Sequence, residues 1–399
     1  MKQITILGST GSIGTSTLDV IRRRSSEFSV FALVAGQNAP LLASQIAEFR
    51  PRLVVVGTEQ VRANLIDRLG GCGLPASEWP EIGVGRRARV EAAAAPEVDF
   101  LMSAIVGVAG LEATYEAVLK GKTIGLANKE TLVAGGRLVM EAARAAGVEV
   151  IPVDSEHNGV HQCLRAGRRE EVARVLLTAS GGPFRSYTRE QMKSVTPADA
   201  LNHPTWKMGP RITIDSATMM NKGFEVIEAC WLFDLDPSEI EVVVHPQSSV
   251  HAMVEYEDGS VVAQISATDM RMPIQYALTY PDRKPAPVPR LDWCTARHWD
   301  FEPPDMEKHP LLRLAFEAQA AGGSATCTLN AADEIAVEAF LAGRIGFTDI
   351  SEVVESTLER VPVRRPESVE DVLAVDEESR AAARERVEAR AAAAGNVII

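Results

Sequence analysis

Hydrophobic positions in the first part of the chain form short runs that are separated by longer amphipathic stretches. The apolar runs are ITILG, FSVFALVAG, RLVVVG, VDFLMSAI, TIGLA and GVEVIPV. Between them, segments such as APLLASQIAEFR and GLEATYEAVLKG carry apolar residues at helical spacing. Strands that alternate with helices build a parallel sheet covered by helices. The pattern therefore predicts an α/β fold with a Rossmann-like, doubly wound parallel sheet over residues 1–150.

The pattern changes after this point. Residues 151–285 contain longer β-like runs and, at about 180–210, a stretch with little hydrophobic periodicity. We expect a central α+β catalytic domain here, with residues 180–210 as a mobile lid. The proline-rich residues 286–311 predict an extended connector, and residues 312–399 predict a C-terminal helical bundle. Helix caps are predicted at Asn330, Thr348 and Ser368.

Composition and charge exclude several functions. The 399 residues are 46% hydrophobic, which is typical of a globular protein of two or three domains. A net charge of −13 disfavours nucleic acid and anionic membrane surfaces as partners. No apolar stretch approaches the roughly 18 residues of a membrane span, and the first residues read as a strand without a leader pattern. We therefore expect a cytoplasmic protein with no membrane partner.

The cysteines show no pattern of a metal or disulfide site. They are scattered, and no C-x-x-C pair occurs among Cys72, Cys163, Cys230, Cys294 and Cys327. Buried, reduced thiols are the prediction.

The motif GSTGSIG, with glycines at Gly8, Gly11 and Gly14, follows the first apolar run and precedes an amphipathic one. Glycines at a strand-to-helix turn let the backbone approach a pyrophosphate, which the helix N-terminus attracts. An ordinary tight turn is the alternative. The second strand ends in Gly36, Gln37 and Asn38, without the carboxylate that holds the ribose 2′-hydroxyl of NAD. This absence weakly favours NADP, although these residues could also form only a turn.

Acidic residues follow the sixth apolar run in VDSEHNG. Asp154 and Glu156 alternate about Ser155, a spacing that offers two hard oxygen ligands to Mg²⁺ or Mn²⁺. Glu225 is the best candidate for a third ligand, and a solvated pair or a helix N-terminal cluster is the alternative. His157 and His161 do not match the H-E-x-x-H zinc pattern, so we interpret them as structural.

Further polar groups indicate a phosphorylated polyol substrate. TASGGPF places Ser180 and two glycines after a strand, where a hydroxyl and exposed backbone suit an oxyanion. DSATMMNKG supplies a hydroxyl, an amide and an ammonium, which hold phosphate or sugar oxygens. The residues are Ser216, Asn221 and Lys222, and HPTWKMG adds His203 and Trp206.

These motifs, with AIVGVAGL, ANKETLVAGG and HPQSSVHAMVEYEDGS, closely resemble the 1-deoxy-D-xylulose 5-phosphate reductoisomerase family along the whole chain. The resemblance implies NADPH-dependent rearrangement and reduction of 1-deoxy-D-xylulose 5-phosphate to 2-C-methyl-D-erythritol 4-phosphate, in non-mevalonate isoprenoid synthesis. It also implies a homodimer and a divalent cation, Mn²⁺ or Mg²⁺, with Co²⁺ as a further option.

The resemblance also implies roles for individual residues. NADPH contacts fall on Thr10, Gly11, Ser12, Ile13, Gly36, Gln37, Asn38, Asn128, Glu130 and Gly209. The metal ligands fall on Asp154, Glu156 and Glu225, which with Lys129 form the catalytic set. Substrate contacts fall on Lys129, Ser155, Glu156, Ser180, His203, Trp206, Ser216, Asn221, Lys222 and Glu225. Gln37 departs from the basic or small residue that many members carry there.

Two other classes are weighed against this one. A semialdehyde dehydrogenase needs a nucleophilic cysteine, and Cys163 and Cys230 lie in apolar helical contexts without a base. A non-enzymatic NADPH sensor has no use for three metal carboxylates beside phosphate-binding groups.

Overall fold

The structure is a computed structural model that describes residues 1–71, 75–206 and 208–395. Cys72 and Lys207 therefore lie outside the described residues. The chain divides into two compact units. The first comprises Met1–Thr131, Arg137–Asn158 and Asp269–Pro289, and the second comprises Leu132–Gly136, Gly159–Thr268 and the chain from Arg290 onward.

The first unit is built on a sheet of seven strands, every neighbouring pair of which is parallel. In chain order they are β1 (Lys2–Leu7), β2 (Phe28–Val34), β3 (Leu53–Val56), β4 (Glu81–Val84), β5 (Phe100–Ser103), β6 (Thr123–Leu126) and β7 (Val150–Pro152). Their spatial order is β4-β3-β2-β1-β5-β6-β7. The sheet confirms the predicted Rossmann-like fold class, and β4 is a strand that the hydrophobic pattern did not predict.

Helices follow the strands of this sheet. They are α1 (Ser12–Arg23), α2 (Ala39–Phe49), α3 (Glu59–Gly71), α4 (Gly85–Ala94), α5 (Leu111–Leu119) and α6 (Glu130–Ala146). A later helix, α12 (Arg271–Thr279), also belongs to this unit, since its Ile274 is buried in the same core as Ile4 and Phe100. Residues 269–285, which the domain prediction assigns to the central domain, group with the first unit by their contacts.

The second unit contains a mixed four-stranded sheet, as expected for an α+β region. Its strands are β8 (Val172–Ala179), β9 (Ile240–Val244), β10 (Val250–Tyr256) and β11 (Val261–Ile265), in the order β11-β10-β8-β9. β8 and β9 are parallel, and the other pairs are antiparallel. One face of this sheet buries Val175, Leu177 and Val254 against helical residues that include Val226.

The remaining helices begin with α7 (Ser155–Cys163), which passes from the first unit into the second. They continue with α8 (Arg189–Met192), α9 (Pro197–Ala200), α10 (Pro210–Thr218), α11 (Met220–Phe233), α13 (Pro310–Ala321), α14 (Ala325–Leu341), α15 (Asp349–Arg360) and α16 (Val369–Gly395). α13 to α16 confirm the helical C-terminal region, and α11 contributes Phe224 to their shared core. Among the described residues, no helix is long and apolar enough to cross a membrane.

Two of the three predicted helix caps are found. Ser368 and Asp371 form the predicted capping box before α16, with Asp371 N–H 3.1 Å from Ser368 Oγ. Thr348 directly precedes α15, although its side chain makes no capping hydrogen bond. The third cap, Asn330, is wrong, because α14 begins five residues earlier in the chain, at Ala325, and buries Asn330 in its interior.

Candidate functional site

The glycine motif forms the expected strand–turn–helix unit between β1 and α1. Gly8 has φ 84°, and a Cβ there would lie 2.5 Å from the carbonyl oxygen of Ala104. A Cβ at Gly14 would lie 2.3 Å from the Gly8 carbonyl oxygen, so this position requires glycine for α1 to approach the turn. Gly11 caps α1 without a side-chain hydrogen bond. The first N–H groups of α1, from Ser12 onward, are thereby left for an anion.

The end of β2 carries no acidic side chain. Gly36 and Gln37 are exposed, and Asn38 caps α2 by accepting a hydrogen bond from Leu41 N–H at 3.2 Å. The Asn38 side chain therefore fixes the start of α2. Because no carboxylate follows β2, this strand end does not repel a 2′-phosphate.

Asn128 lies after β6 and is fully engaged with its own chain. Its Nδ2 donates to Gly107 O at 2.9 Å, and its Oδ1 accepts from Thr131 N–H and Oγ1 at 2.8 and 2.9 Å. The Asn128 side chain is buried, and its hydrogen bonds to Thr131 fix the start of α6. A contact between Asn128 and a cofactor would therefore be made by its backbone. Glu130, also buried, is the first residue of α6.

Lys129 and Asp154 form a buried ion pair in the first unit. The Lys129 Nζ lies 2.6 Å from Asp154 Oδ2, although the residues are far apart in sequence. Asp154 Oδ1 accepts a hydrogen bond from Glu156 N–H at 3.2 Å, which places Glu156 in the first turn of α7. The Ser155 hydroxyl donates to the Glu156 carboxylate. These contacts hold together four predicted site residues: Lys129, Asp154, Ser155 and Glu156. Asp154 also accepts a hydrogen bond at the N-terminus of α7, as a helix N-terminal cluster would.

Asn158 and His157 of α7 are fully buried, and His161 is half-buried. Asn158 Nδ2 donates to Pro152 O at 2.9 Å, which fixes the start of α7 against the end of β7. Burial, with the nearby Arg165, lowers the pKa of His161 to about 4. The sequence motif alone does not reveal this anchoring role of Asn158.

A sharp break between α10 and α11 organises the second unit's polar groups. Met219, with φ 65°, ends one helix and begins the next. In the first turn of α11, Asn221 Nδ2 donates to Glu225 Oε1 at 2.5 Å, and Lys222 forms an ion pair with the same carboxylate. Lys222 and Glu225 are both buried. The helix spacing of three and four residues directs all three side chains to one face.

Ser180, His203 and Ser216 form a hydrogen-bonded cluster in the second unit. His203 Nε2 lies 3.2 Å from Ser180 Oγ and 3.1 Å from Ser216 Oγ. Its Nδ1 accepts hydrogen bonds from the N–H groups of Thr205 and Trp206, at 3.1 and 2.9 Å. The proton of the neutral ring is therefore on Nε2. Burial lowers the pKa of His203, which keeps the ring in this neutral form.

Gly182 brings the Ser180 turn against α10. It has φ 65°, and a Cβ there would lie 2.7 Å from Ser216 O. The Ser180 hydroxyl accepts from Gly182 N–H at 3.2 Å. Any side chain at this position would push Ser180 and Ser216 apart.

Trp206 and Gly209 lie in the stretch predicted as a lid. Trp206 is half-buried, and Gly209 is exposed and caps α10 ahead of Pro210. In the described part of this stretch, the regular structure is limited to α8 and α9, of four residues each.

The cysteines that a semialdehyde dehydrogenase would need are unsuited to nucleophilic attack. Cys163 and Cys230 are buried, and burial raises the pKa of Cys230 to about 12. The dinucleotide-type turn, the oxygen-rich acidic groups and the hydroxyl, amide and ammonium groups instead define a dinucleotide-dependent oxidoreductase that acts on a small phosphorylated substrate.

Comparisons with known proteins identify the family. Three family models match the chain: 1-deoxy-D-xylulose 5-phosphate reductoisomerase over residues 4–136, its C-terminal domain over 150–233, and the DXP reductoisomerase C-terminal domain over 265–382. The chain is 66% identical to the 1-deoxy-D-xylulose 5-phosphate reductoisomerase of Solibacter usitatus, over 98% of this chain and 99% of that protein. The corresponding protein of Chloroherpeton thalassium is 50% identical, over 95% of this chain and 97% of its own.

Solved structures of reductoisomerases also match this chain. The reductoisomerase from Zymomonas mobilis in complex with NADPH is 45% identical and matches with a TM-score of 0.89, over 97% of this chain and 99% of that one. A DOX-P reductoisomerase in complex with NADPH, fosmidomycin and magnesium is 39% identical, with a TM-score of 0.92 over 97% and 98% of the two chains. The chain therefore belongs to the 1-deoxy-D-xylulose 5-phosphate reductoisomerase family. The predicted family and enzyme class are confirmed.

Proposed function

We propose that this chain rearranges 1-deoxy-D-xylulose 5-phosphate and reduces it with NADPH to 2-C-methyl-D-erythritol 4-phosphate, with a divalent cation. Family membership over nearly the whole chain supports the reaction and both cofactors. The buried ion pairs of Asp154 with Lys129 and of Glu225 with Lys222 are the structural observation that carries the metal assignment below.

Asp154, Glu156 and Glu225 hold the divalent cation in this proposal. Their donors are all carboxylate oxygens, the ligands that Mg²⁺ and Mn²⁺ prefer. A buried carboxylate needs a compensating positive charge, and Lys129 supplies it to Asp154 as Lys222 does to Glu225. A divalent cation satisfies the same requirement more strongly. Magnesium is the ion named for a solved relative; Mn²⁺ and Co²⁺ fit the same oxygen donors.

When bound, the cation supplies Lewis-acid stabilisation of negative charge on the substrate oxygens. The chain's own residues hold the substrate and transfer protons. Lys129 is the proposed proton-transfer group, because its Nζ donates a hydrogen bond to the Asp154 carboxylate in a site largely closed to water. Ser155 and Glu156 lie beside it and orient the substrate's hydroxyl groups.

The substrate phosphate binds to the cluster of the second unit. The neutral His203 donates through Nε2, and the hydroxyls of Ser180 and Ser216 rotate to donate as well. Asn221 and Lys222, which both bond the Glu225 carboxylate, add an amide and an ammonium, so that a dianion meets five donor groups. Trp206, at the end of the lid stretch, covers the bound substrate and excludes water.

NADPH binds at the carboxyl edge of the parallel sheet. The pyrophosphate meets the start of α1, through Thr10, Gly11, Ser12 and Ile13. The adenosine end lies by Gly36, Gln37 and Asn38, and Asn128, Glu130 and Gly209 contact the remainder of the cofactor. We propose residues 1–150 as the cofactor domain, 151–285 as the catalytic domain, 286–311 as the connector and 312–399 as the helical domain. Residues 269–285 of the catalytic domain belong by their contacts to the first unit.

A homodimer in the cytoplasm completes the proposal. Leu176, Met253 and Ala263 are cross-strand neighbours on the outward face of the second sheet, where they are half-buried or exposed. Such an apolar row, flanked by the ion pair of Arg174 and Glu255, suits a second copy of the same sheet. Met253→Glu is expected to convert the dimer to a monomer in light scattering. The cysteines in the described part of the chain are all unbonded, as in a reducing compartment.

The metal assignment is tested by Mn²⁺ binding to Asp154→Asn, Glu156→Gln and Glu225→Gln, with Glu241→Gln, an exposed carboxylate on β9, as the matched control. We expect each of the three variants to weaken Mn²⁺ binding by about 10-fold or more, while NADPH affinity is retained. Unchanged Mn²⁺ affinity in all three would contradict the assignment.

A further inference from the structure

A buried cluster of charged side chains joins α10 to α14, and the proposed mechanism does not use it. Arg211, in the first turn of α10, lies at its centre. Its Nη1 lies 2.8 Å from Glu334 Oε1, and its Nη2 donates to Asn330 Oδ1 at 3.1 Å. Asp333 and Asp215 complete its surroundings, at 3.6 and 3.7 Å from the guanidinium. The Arg211 guanidinium thus connects α10 to several side chains of α14.

The two aspartates of this cluster lie on different helices, Asp215 on α10 and Asp333 on α14, and both are near the Arg211 guanidinium. Asp333 is fully buried, and burial with the neighbouring negative charge of Asp215 raises its pKa well above the ordinary value. Arg211 is therefore the group that connects the two helices.

α14 is in turn fixed to α16. Glu334 accepts a second hydrogen bond, from Arg380 Nη2 at 2.6 Å, and Arg380 Nε donates to Asp376 at 2.6 Å. Ser379 Oγ also donates to Thr328 Oγ1 at 3.0 Å. The polar connection therefore runs from α10 through α14 to the last helix.

An adjacent face of α10 carries a proposed substrate contact. Ser216 follows Asp215 directly, and its hydroxyl lies 3.1 Å from His203 Nε2. Successive helical residues are about 100° apart around the axis, so Asp215 faces α14 while Ser216 faces the phosphate cluster. A rotation of α10 that releases the first side chain moves the second.

We propose that Arg211, Asp215 and Asp333 are positioning residues, which fix α10 so that Ser216 meets the substrate's phosphate. The C-terminal helices thereby take part in substrate affinity without touching the substrate. Burying so many charges for stability alone is unrewarding, because apolar residues of equal volume stabilise as well or better. This inference rests on the proposed phosphate-binding role of Ser216.

The test measures the KM of each substrate in Arg211→Met, Asp333→Leu and Asp333→Asn. The matched control is Arg313→Met, whose arginine joins α13 to α15 through Glu317 and Glu355 and does not contact α10. We expect Arg211→Met and Asp333→Leu to raise the KM for the sugar phosphate about tenfold, since small displacements of a binding group are costly. The KM for NADPH stays within about twofold. Asp333→Asn retains the parental values, because an amide has the size of the carboxyl group and, like a carboxyl group of raised pKa, carries no charge.

A double variant separates positioning from general stability. If Arg211 acts through Ser216, Arg211→Met raises the KM no further in a Ser216→Ala background. Additive effects, or a lower melting temperature with unchanged KM, would overturn the inference. An unchanged KM in Ser216→Ala would overturn the phosphate role itself, whereas a raised one beside a normal Arg211→Met overturns the inference alone. If Arg211→Met does not fold, Arg211→Lys is compared instead. Lysine retains the positive charge but lacks the planar guanidinium that bonds several partners at once.

Discussion

The ammonium group of Lys129 lies 2.6 Å from the carboxylate of Asp154, and both side chains are largely withdrawn from water. Asp154 is thus bound to a cation that the chain itself supplies. In the proposed function, metal binding to Asp154 competes with this ion pair, and proton transfer uses Lys129. The pair therefore predicts opposite effects on metal affinity and on turnover when the lysine is removed.

Lys129→Met is expected to lower kcat for the sugar phosphate by about 100-fold or more, the usual contribution of a general acid. Mn²⁺ affinity is expected to hold or rise, because the competing ammonium is gone. Steady-state kinetics and Mn²⁺ titration measure the two effects. Lys120→Met, at an exposed lysine after α5, is the control. Weaker Mn²⁺ binding together with normal turnover would contradict this role.

Gly182→Ala is expected to raise the substrate KM. The added methyl group would lie 2.7 Å from Ser216 O and would separate the two phosphate-binding hydroxyls. Gly259→Ala is the matched control: Gly259 also has a positive φ, of 81°, but a Cβ there meets nothing within 4 Å. Both variants are expected to lose about 1 kcal/mol of stability from backbone strain. Equal KM values in the two variants would refute the close approach as a requirement.

Trp206→Ala is expected to lower kcat and raise the KM for the sugar phosphate, with the KM for NADPH unchanged. The half-buried indole is proposed to cover the substrate, and its loss admits water. Trp293→Ala, at an exposed tryptophan of the connector, removes the same volume and is expected to have no effect. Parental kinetics in Trp206→Ala would remove the lid role.

Gln37→Asp is expected to shift the preference from NADPH towards NADH, measured as the ratio of the two kcat/KM values. A carboxylate at the end of β2 repels the 2′-phosphate and accepts a hydrogen bond from the 2′-hydroxyl. Gln37→Asn changes size without charge and is expected to keep the parental ratio. An unchanged ratio in Gln37→Asp would place the adenosine ribose elsewhere.

His309 predicts a loss of stability in mild acid. Burial and the adjacent Lys308 lower its pKa from 6.5 to about 4. Between these values the unfolded chain binds a proton that the folded protein does not, so the free energy of unfolding falls as the pH falls through this window. At about pH 5 the contribution is about 2 kcal/mol. Urea unfolding should show a smaller acid loss in His309→Gln than in the parent protein or in the exposed-site control His298→Gln.

Much of the fold follows from local sequence. The apolar runs predict six of the seven parallel strands, because buried parallel strands are apolar on both faces. β4 was missed, since its sequence EIGV contains Glu81 and Gly83 and it lies at the sheet edge, paired only with β3. The Ser368 cap follows from a pattern of adjacent residues, whereas the error at Asn330 has a tertiary cause: its side chain bonds Arg211 on another helix.

The contacts of the candidate site are likewise of two kinds, those that follow from local sequence and those that join distant segments. Helical spacing alone places Asn221 and Lys222 beside Glu225, since these residues are three and four apart. The pairing of Lys129 with Asp154 joins distant segments, and no local pattern signals it. The cluster around Arg211 is hidden for the same reason, as charged residues on amphipathic helices ordinarily face water.

The proposed reaction is measured by following NADPH oxidation with 1-deoxy-D-xylulose 5-phosphate and Mg²⁺ or Mn²⁺, with a chelator and with Glu225→Gln as controls. We expect NADPH consumption that yields 2-C-methyl-D-erythritol 4-phosphate, stops on chelation and is nearly absent in Glu225→Gln. Consumption that persists without the metal or without Glu225, or no consumption by the folded parent protein, would contradict it.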